Sequence, residues 1–298
     1  MANYDVLIIG AGPAGYVAAI RAAQLGQKVA IVDKEFLGGV CLNVGCIPSK
    51  ALLKNAEVAH TLRTKGEEFG FSFSNLKLDY ASAVKRSRKV SERLVKGVEF
   101  LMKKNKIDVH MGTAKLTSRD TVSVTGKDGK ATEHKVKNII IATGASAMSV
   151  PGVEPDNEQV MTYWPAILQE KLPKSVIIVG GGAIGLEFAT VWNSYGSQVT
   201  LVEMLDRIAP LEDEEVSKEL AKAMTKEGIT VKTATKLEKV EKTKANVKVT
   251  VSSKDGSETL EAEQVLLAIG FRPNTKDLGL EQVGVKLGQR GEILIDDT

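Results

Sequence analysis

The sequence predicts an α/β protein made of two repeated units, and three patterns carry that expectation. The first is a duplicated strand, turn and helix: Tyr4–Gly10 (YDVLIIG) and Lys174–Gly180 (KSVIIVG) each run into a glycine turn and a helical stretch. The second is a later pair of matching strands, Val136–Gly144 (VKNIIIATG) and Gln264–Gly270 (QVLLAIG), each ending at a glycine. The third is apolar–polar alternation over residues 121–137 and 229–263, with turns at Asp128-Gly129 and Asp255-Gly256. Such alternation reads as antiparallel ribbon.

The elements follow in chain order. Tyr4–Gly10 is short, apolar and rich in β-branched residues, as expected of a strand buried on both faces. It opens the turn Gly10-Ala11-Gly12-Pro13-Ala14-Gly15, the helix Tyr16–Leu25 and the strand Lys28–Val32, which ends at Asp33. Residues 77–106 read as a helix with basic residues on one face (Lys85, Arg86, Arg88, Lys89, Arg93, Lys96, Lys103, Lys104). Serine, glutamate and apolar residues interrupt the run, as in a solvated helix face. Pro151-Gly152 and Pro155 mark a crossover. The plan then repeats: the turn Gly180-Gly181-Gly182-Ala183-Ile184-Gly185, the helix Leu186–Tyr195 and the strand Gln198–Val202, which ends at Glu203. Copies this far apart are a duplication of whole domains rather than a solenoid. The expected boundaries are 1–149, 150–271, and a return segment 272–298 that starts a further, central domain.

Composition narrows the function classes. With 43% hydrophobic and 26% charged residues, the chain has the balance of a soluble globular protein with a substantial core. A net charge of +3 is too small for a polyanion-binding surface, and 5% aromatics are too few for a base-stacking platform, so no nucleic-acid partner is expected. No apolar run approaches the ~20 residues that span a bilayer, so no membrane partner is expected. The opening Met1-Ala2-Asn3-Tyr4-Asp5 lacks a basic n-region, which predicts no secretory or transit peptide and a cytoplasmic location.

A single GxGxxG is a weak signal, but each copy here follows a strand, opens a helix and has an acid roughly 20 residues further on. The first glycine allows a tight turn, the second lets a pyrophosphate approach the backbone, and the third lets helix and strand pack closely. The helix N-terminus then offers free N–H groups and a partial positive charge to the phosphates. The fold class is therefore α/β, with two Rossmann-like dinucleotide-binding units of the three-layer ββα type and antiparallel ribbon insertions. Asp33 and Glu203 are expected to accept hydrogen bonds from ribose hydroxyls. A carboxylate at Glu203 would repel a 2′-phosphate, so the second unit is expected to prefer NAD to NADP. Arg207 reads as an ordinary loop cation.

Both cysteines lie in Gly38–Lys50, GGVCLNVGCIPSK. A metal site needs more ligands, and His60, His110 and His134 show no ligand spacing, so no metal is expected. A structural disulfide does not suit a chain without an export signal. Two readings remain: a dithiol/disulfide that cycles during turnover, or two reduced bystander thiols. Five residues of regular helix rise ~7.5 Å, whereas disulfides need Cα atoms within about 7 Å. A bonded pair therefore requires a departure from ideal helix, which Gly45 permits. Pro48 then falls at most one turn into the helix that carries Lys50. A cysteine near a helix N-terminus has a lowered pKa and more thiolate.

The segment GGVCLNVGCIPSK closely resembles the redox-active disulfide of the FAD-dependent pyridine nucleotide-disulfide oxidoreductases. Within them, Ser49-Lys50, the following Ala51-Leu52-Leu53 and Glu203 resemble the dihydrolipoamide dehydrogenases, the E3 components of 2-oxoacid dehydrogenase and glycine cleavage complexes. Mercuric reductases share much of the cysteine motif. A non-catalytic nucleotide-binding or redox-sensing module on the same frame is the alternative from another class. The resemblance runs through the whole chain. It implies an FAD-binding domain at 1–149 and an NAD-binding domain at 150–271. Gly10, Gly12, Ala14, Gly15, Asp33, Lys34, Gly39, Val40, Lys50, Ala114, Thr143 and Gly144 would serve FAD. Gly180, Gly182, Ile184, Gly185, Glu187, Glu203, Leu237 and Gly270 would serve NAD. Cys41 would be the thiol that exchanges with dihydrolipoamide, borne on a lipoyl domain, and Cys46 the thiol against the flavin. Lys50 would pair with Glu187 beside the flavin.

Three departures from the family pattern stand out. Val40 replaces the usual threonine of GGTC, and Asp33 replaces the more common glutamate. After Ile293-Leu294-Ile295-Asp296-Asp297-Thr298 the family pattern continues through a central domain and a dimerisation domain that supplies a His-Glu pair. The resemblance thus implies a C-terminally shortened form with impaired turnover, and a homodimer for the full-length form.

Overall fold

A computed structural model of the chain describes residues 2–296. The fold divides into two compact units, one of Met1–Cys46, Val90–Ser146 and Phe271–Thr298, the other of Ile47–Lys89 and Ala147–Gly270. The elements in the first part of the chain are β1 (Ala2–Ile9), α1 (Pro13–Gln24), β2 (Val29–Asp33), α2 (Gly39–Asn43), α3 (Cys46–Thr64) and α4 (Tyr80–Lys104). They continue with β3 (Asp108–Met111), β4 (Thr113–Ser118), β5 (Thr121–Thr125) and β6 (Ala131–Ile141).

The first unit is built on one six-stranded sheet in the order β3-β2-β1-β6-β5-β4. The first four strands are parallel and the last two antiparallel. β6 serves both parts: it pairs in parallel with β1 from His134 to Ile141 and antiparallel with β5 from Ala131 to Lys135. Leu7, Ile8 and Ile31 are wholly buried, which accounts for the unbroken apolar runs of the parallel strands. Tyr4, Leu7, Ile9, Ala30 and Val32 pack against Leu116, Val122, Val124 and Val136 of the ribbon. Leu278 and Leu280 of the returning segment complete this core. The Leu116 N–H donates to the Leu278 carbonyl at 2.8 Å.

After β7 (Ala145–Ala147), the second unit contains β8 (Val160–Met161), α5 (Tyr163–Leu168), β9 (Ser175–Val179), α6 (Ala183–Tyr195), β10 (Gln198–Val202) and α7 (Glu214–Lys226). It ends with β11 (Thr230–Lys232), β12 (Lys236–Lys242), β13 (Val247–Ser253), β14 (Gly256–Ala262) and β15 (Gln264–Leu267), and β16 (Phe271–Pro273) follows. Five strands form a parallel sheet, β11-β10-β9-β15-β8, and β12-β13-β14 form a separate antiparallel sheet. Burial on one side of this parallel sheet comes from its own ribbon: Ile177, Val179, Val202, Val265 and Leu267 pack against Leu237, Val247, Val249, Val251 and Ala262.

The α/β architecture with ribbon insertions is thus the observed one, with shifts of boundary. Both helices after the glycine turns start earlier than their apolar pattern suggests, at Pro13 and Ala183, because Gly12 and Gly182 act as N-caps. Proline suits a first helical turn because it lacks only an N–H that would be unpaired there. The first ribbon gains β4. The second loses Thr230–Lys232, which pair with β10 as a parallel strand after the α7 crossover. Three residues are too few for periodicity to tell a parallel strand from a ribbon. Among the described residues no helix is long and apolar enough to cross a membrane.

Two of the three histidines meet in the first unit. The His110 and His134 rings lie 4.5 Å apart, and Tyr4 donates its hydroxyl hydrogen to Asp108 at 2.9 Å while lying 3.0 Å from His110 Nε2. Lys28 lies over the Tyr4 ring. Burial holds both imidazoles below the usual histidine value; the His110 charge adds to this at His134, and Asp108 opposes it at both. Burial, reinforced by Asp108, pushes the Tyr4 phenol up to about 12. An unfolded chain takes up protons at the ordinary histidine pKa of about 6.5 while the folded one resists, so this stability is complete above that pH and declines below it. Urea midpoints measured at pH 7.5 and 5.5 should show the loss, and His134→Phe should flatten it. An equal slope in both proteins would exclude this pair as its source.

Candidate functional site

The three glycines of each turn do three different jobs. Gly10 and Gly180 have φ of 107° and 111°, in the region that favours glycine. A Cβ at either would also overlap the carbonyl of Ala142 or Ala268, at the end of the neighbouring strand. A Cβ at Gly15 or Gly185 would overlap the carbonyl of Gly10 or Gly180 in its own turn. The middle glycines differ: a Cβ at Gly182 would meet nothing within 4 Å, and one at Gly12 only the Gly39 Cα at 4.0 Å. Open space lies above the middle glycine of both turns.

The acids at the strand ends hold these turns. Asp33 Oδ2 accepts the Ala11 N–H at 2.7 Å, and Oδ1 accepts the N–H groups of Glu35 and Phe36 at 2.8 and 3.2 Å. Glu203 repeats the arrangement, with the Gly181 N–H on Oε2 at 2.6 Å and the Leu205 N–H on Oε1 at 2.8 Å. A carboxylate has about four acceptor sites, so room remains for ribose hydroxyls. The acids nevertheless brace the turn first, a role the spacing alone did not reveal. Arg207 stays in its own loop, 3.5 Å from the Pro210 carbonyl and 4.0 Å from the Asp206 carboxylate.

Helix ends give a second sign of the ligand class. α1 and α6 have glycine N-caps with no side-chain hydrogen bond and no acid in the first turn. α7 is self-sufficient: Asp213 accepts from the Glu215 and Val216 N–H groups, and Glu214 and Glu215 occupy its first turn. Of these three, the two helices after glycine turns leave their first N–H groups and positive dipole end for an anion. An open cradle over an uncapped helix fits the pyrophosphate of a dinucleotide in both units.

The cysteine segment adjoins the first cradle. The Gly38 N–H donates to the Ala11 carbonyl at 2.9 Å, and a Cβ at Gly39 would lie 2.5 Å from the Gly12 Cα. α2 ends at Asn43, α3 starts at Cys46, and the break at Val44-Gly45 brings the cysteine Cα atoms to 4.6 Å. Cys41 and Cys46 are disulfide-bonded. Gly45 is where the chain must pass closely, since a Cβ there would lie 3.0 Å from the Val40 carbonyl oxygen. Cys46 is exposed and is the first residue of α3, while Cys41 is half-buried.

The other sequence-derived candidates divide into those placed at a turn and those committed elsewhere. Thr143 and Gly144 lie beside the first turn and are fixed by Asn274, a residue that no motif singles out. Thr143 Oγ1 donates to the Asn274 carbonyl at 2.8 Å, Asn274 Nδ2 to the Thr143 carbonyl at 3.0 Å, and the Asn274 N–H to the Gly144 carbonyl at 3.0 Å. Gly112 N–H binds the Asp33 carbonyl at 2.8 Å and so brings the strand of Ala114 to the acid. The Ala114 side chain itself is buried in the core, which leaves only its backbone for a ligand. Leu237 is likewise a core residue of the second unit. Lys34 and Ala14 are exposed, and Val40 and Ile184 half-buried. Gly270 accepts the Met148 N–H at 3.0 Å. Lys50 and Glu187 form an ion pair at 2.6 Å within the second unit.

Two dinucleotide-type turns, one of them touching a disulfide loop, define an α/β protein of the disulfide oxidoreductase class. The family model "Pyridine nucleotide-disulphide oxidoreductase" matches residues 4–298. The chain belongs to that family. Curated relatives include dihydrolipoyl dehydrogenase of Mycobacterium tuberculosis, 50% identical over 297 residues that cover 100% of this chain and 64% of the relative. Dihydrolipoyl dehydrogenase of Corynebacterium glutamicum is 47% identical, over 99% of this chain and 63% of its own length. Among solved structures, LpdA of M. tuberculosis superposes with a TM-score of 0.90 at 28% identity, covering 99% of this chain and 64% of that one. The flavoprotein disulfide reductase RclA of Escherichia coli, as a Cu(II) complex, gives 0.85 at 26%, covering 99% and 63%. The chain therefore spans a little under two thirds of the length of these relatives.

The glycine geometry predicts unequal effects for two alanine substitutions. Gly185→Ala, which overlaps the Gly180 carbonyl, should lower unfolding stability by about 2 kcal/mol or more. Gly182→Ala, with open space and extended backbone but a poorer N-cap residue, should change it by less than about 1 kcal/mol. Denaturant unfolding of the two variants checks the pair.

Proposed function

We propose that the chain carries the dinucleotide-binding and disulfide part of a dihydrolipoamide dehydrogenase. In this reading FAD occupies the first turn, NAD the second, and the substrate is the dithiol of a lipoyl group. The observation that carries it is the Cys41–Cys46 disulfide on a segment hydrogen-bonded to the first glycine turn. The names of the curated relatives support the substrate class.

A lipoyl thiolate attacks the Cys41 sulfur, the S–S bond breaks, and Cys46 leaves as thiolate. The second lipoyl thiol then attacks the lipoyl sulfur of that mixed disulfide, which closes the lipoyl disulfide and frees Cys41. Two electrons thereby reach the cysteine pair; the proton of the second lipoyl thiol passes to Cys41, and Cys46 stays a thiolate. FAD held at the first turn would supply the two-electron chemistry that links this dithiol to NAD⁺ at the second. Cys46 is suited to the leaving role because the N-terminus of α3 stabilises a thiolate at its first residue. Lys50 follows it by one helical turn and is assigned to the flavin side, oriented by Glu187. Gly10, Gly12, Gly15 and Asp33 shape the first phosphate cradle, with Gly39 and Val40 from the cysteine segment and Thr143 and Gly144 held by Asn274. Gly180, Gly182, Gly185 and Glu203 shape the second, where the carboxylate disfavours a 2′-phosphate.

Two measurements test this assignment. With FAD added, anaerobic reduction by dihydrolipoamide or dithiothreitol should produce long-wavelength thiolate-to-flavin absorption. Cys46→Ser should abolish it and Cys41→Ser should retain it on reduction; persistence in Cys46→Ser overturns the thiol roles. NADH should bind at least tenfold more tightly than NADPH, and Gly182→Ala should weaken NADH binding with little change in stability. Equal affinity for both nucleotides would remove Glu203 from its selecting role.

A further inference from the structure

The loop between the cysteines is held by a side chain that the redox roles above leave unused. Asn43 Nδ2 donates to the Leu37 carbonyl at 3.0 Å and to the Gly39 carbonyl at 2.9 Å. It thus ties both neighbours of Gly38 to a residue lying between Cys41 and Cys46. Gly38 is in the left-handed region at φ 89° and donates its N–H to Ala11 of the glycine turn. α2 itself is short. It has five residues and no side-chain N-cap; the Val44 N–H reaches the Val40 carbonyl at 2.8 Å, but the Leu42 N–H reaches the Gly38 carbonyl only at 3.4 Å. A helix this short has no stability of its own.

We infer that Asn43 is a positioning residue for the cysteine couple: its amide keeps the loop closed when the S–S bond is broken and so sets the equilibrium between dithiol and disulfide. The inference rests on the proposed redox cycle. Closing a disulfide requires the two Cα atoms within bonding reach, and a reduced loop free to open must meet a closure cost each time. These two Asn43 bonds run to residues 37 and 39 and fix the Cys41 side of the loop; the Val44 N–H to the Val40 carbonyl at 2.8 Å carries the chain on toward Cys46, and none of the three involves sulfur. They survive reduction, and the thiols stay near the 4.6 Å Cα separation of the oxidised form. The couple then cycles with little rearrangement, next to a turn whose geometry the same loop supports.

The test is the exchange equilibrium with dithiothreitol, in which the reagent's dithiol becomes its cyclic disulfide as Cys41–Cys46 becomes two thiols. Free thiols are alkylated and counted by mass spectrometry across a series of redox buffers at pH 8. Asn43→Ala should shift the constant toward the dithiol roughly tenfold. Asn43→Asp, the same shape without donors, should shift it at least as far. Constants within twofold of the unsubstituted chain overturn the inference. So does the opposite order, with Asp near normal and Ala shifted, because that order marks a packing role. Asn43→Ser keeps one short donor and carries the same test if either variant fails to fold: a shift toward the dithiol supports the role, and an unchanged constant overturns it. Failure of the unsubstituted chain to exchange at all would overturn the redox cycle itself, and this inference with it.

Discussion

A carboxylate that closes a glycine turn is the constraint on which both units rest. Asp33 and Glu203 sit at the ends of β2 and β10 and take the N–H of Ala11 and Gly181, so a chain leaving β1 or β9 in another direction loses that hydrogen bond. The Glu203 carboxyl is nearly buried, which raises the cost of leaving it unpaired. Once the turn is fixed, the next helix starts at a bare glycine cap, and the space above it is defined by backbone alone. The first unit uses the fixed turn a second time, because the Ala11 carbonyl also anchors Gly38 and through it the cysteine loop.

Much of this arrangement was legible in the sequence because it depends on residue types that have few other uses. A repeated GxGxxG after an apolar run, an acid at the same remove, and two cysteines split by Val44-Gly45 each limit the backbone strongly. A bonded cysteine pair requires a departure from helix that Gly45 permits, and the break lies between α2 and α3. The family resemblance of the cysteine segment named the class that the match to residues 4–298 establishes.

What stayed hidden depends on partners distant in the chain. Asn274 reads as an ordinary loop residue until its bonds to Thr143 and Gly144, more than a hundred residues earlier, are seen. Leu237 and Ala114, which the resemblance places among the ligand contacts, have side chains that face the core, because strand alternation at a ribbon fixes which side faces inward. β11 was hidden for the opposite reason: its three residues carry too little pattern to choose between sheets. The double bracing by Asp33 and Glu203 was missed because spacing reports where an acid lies along the chain and not how many N–H groups converge on it.

The long strand β6 has a consequence for cooperativity. Because His134 and Lys135 are paired on both sides, fraying of the first ribbon propagates directly into the parallel sheet that bears the glycine turn. Among the described residues the second unit has no such shared strand, and its ribbon is a sheet of its own. The two units are therefore tied together differently: in the first the ribbon and the parallel sheet share a strand and its hydrogen bonds, whereas in the second the ribbon is joined to its sheet by side-chain packing.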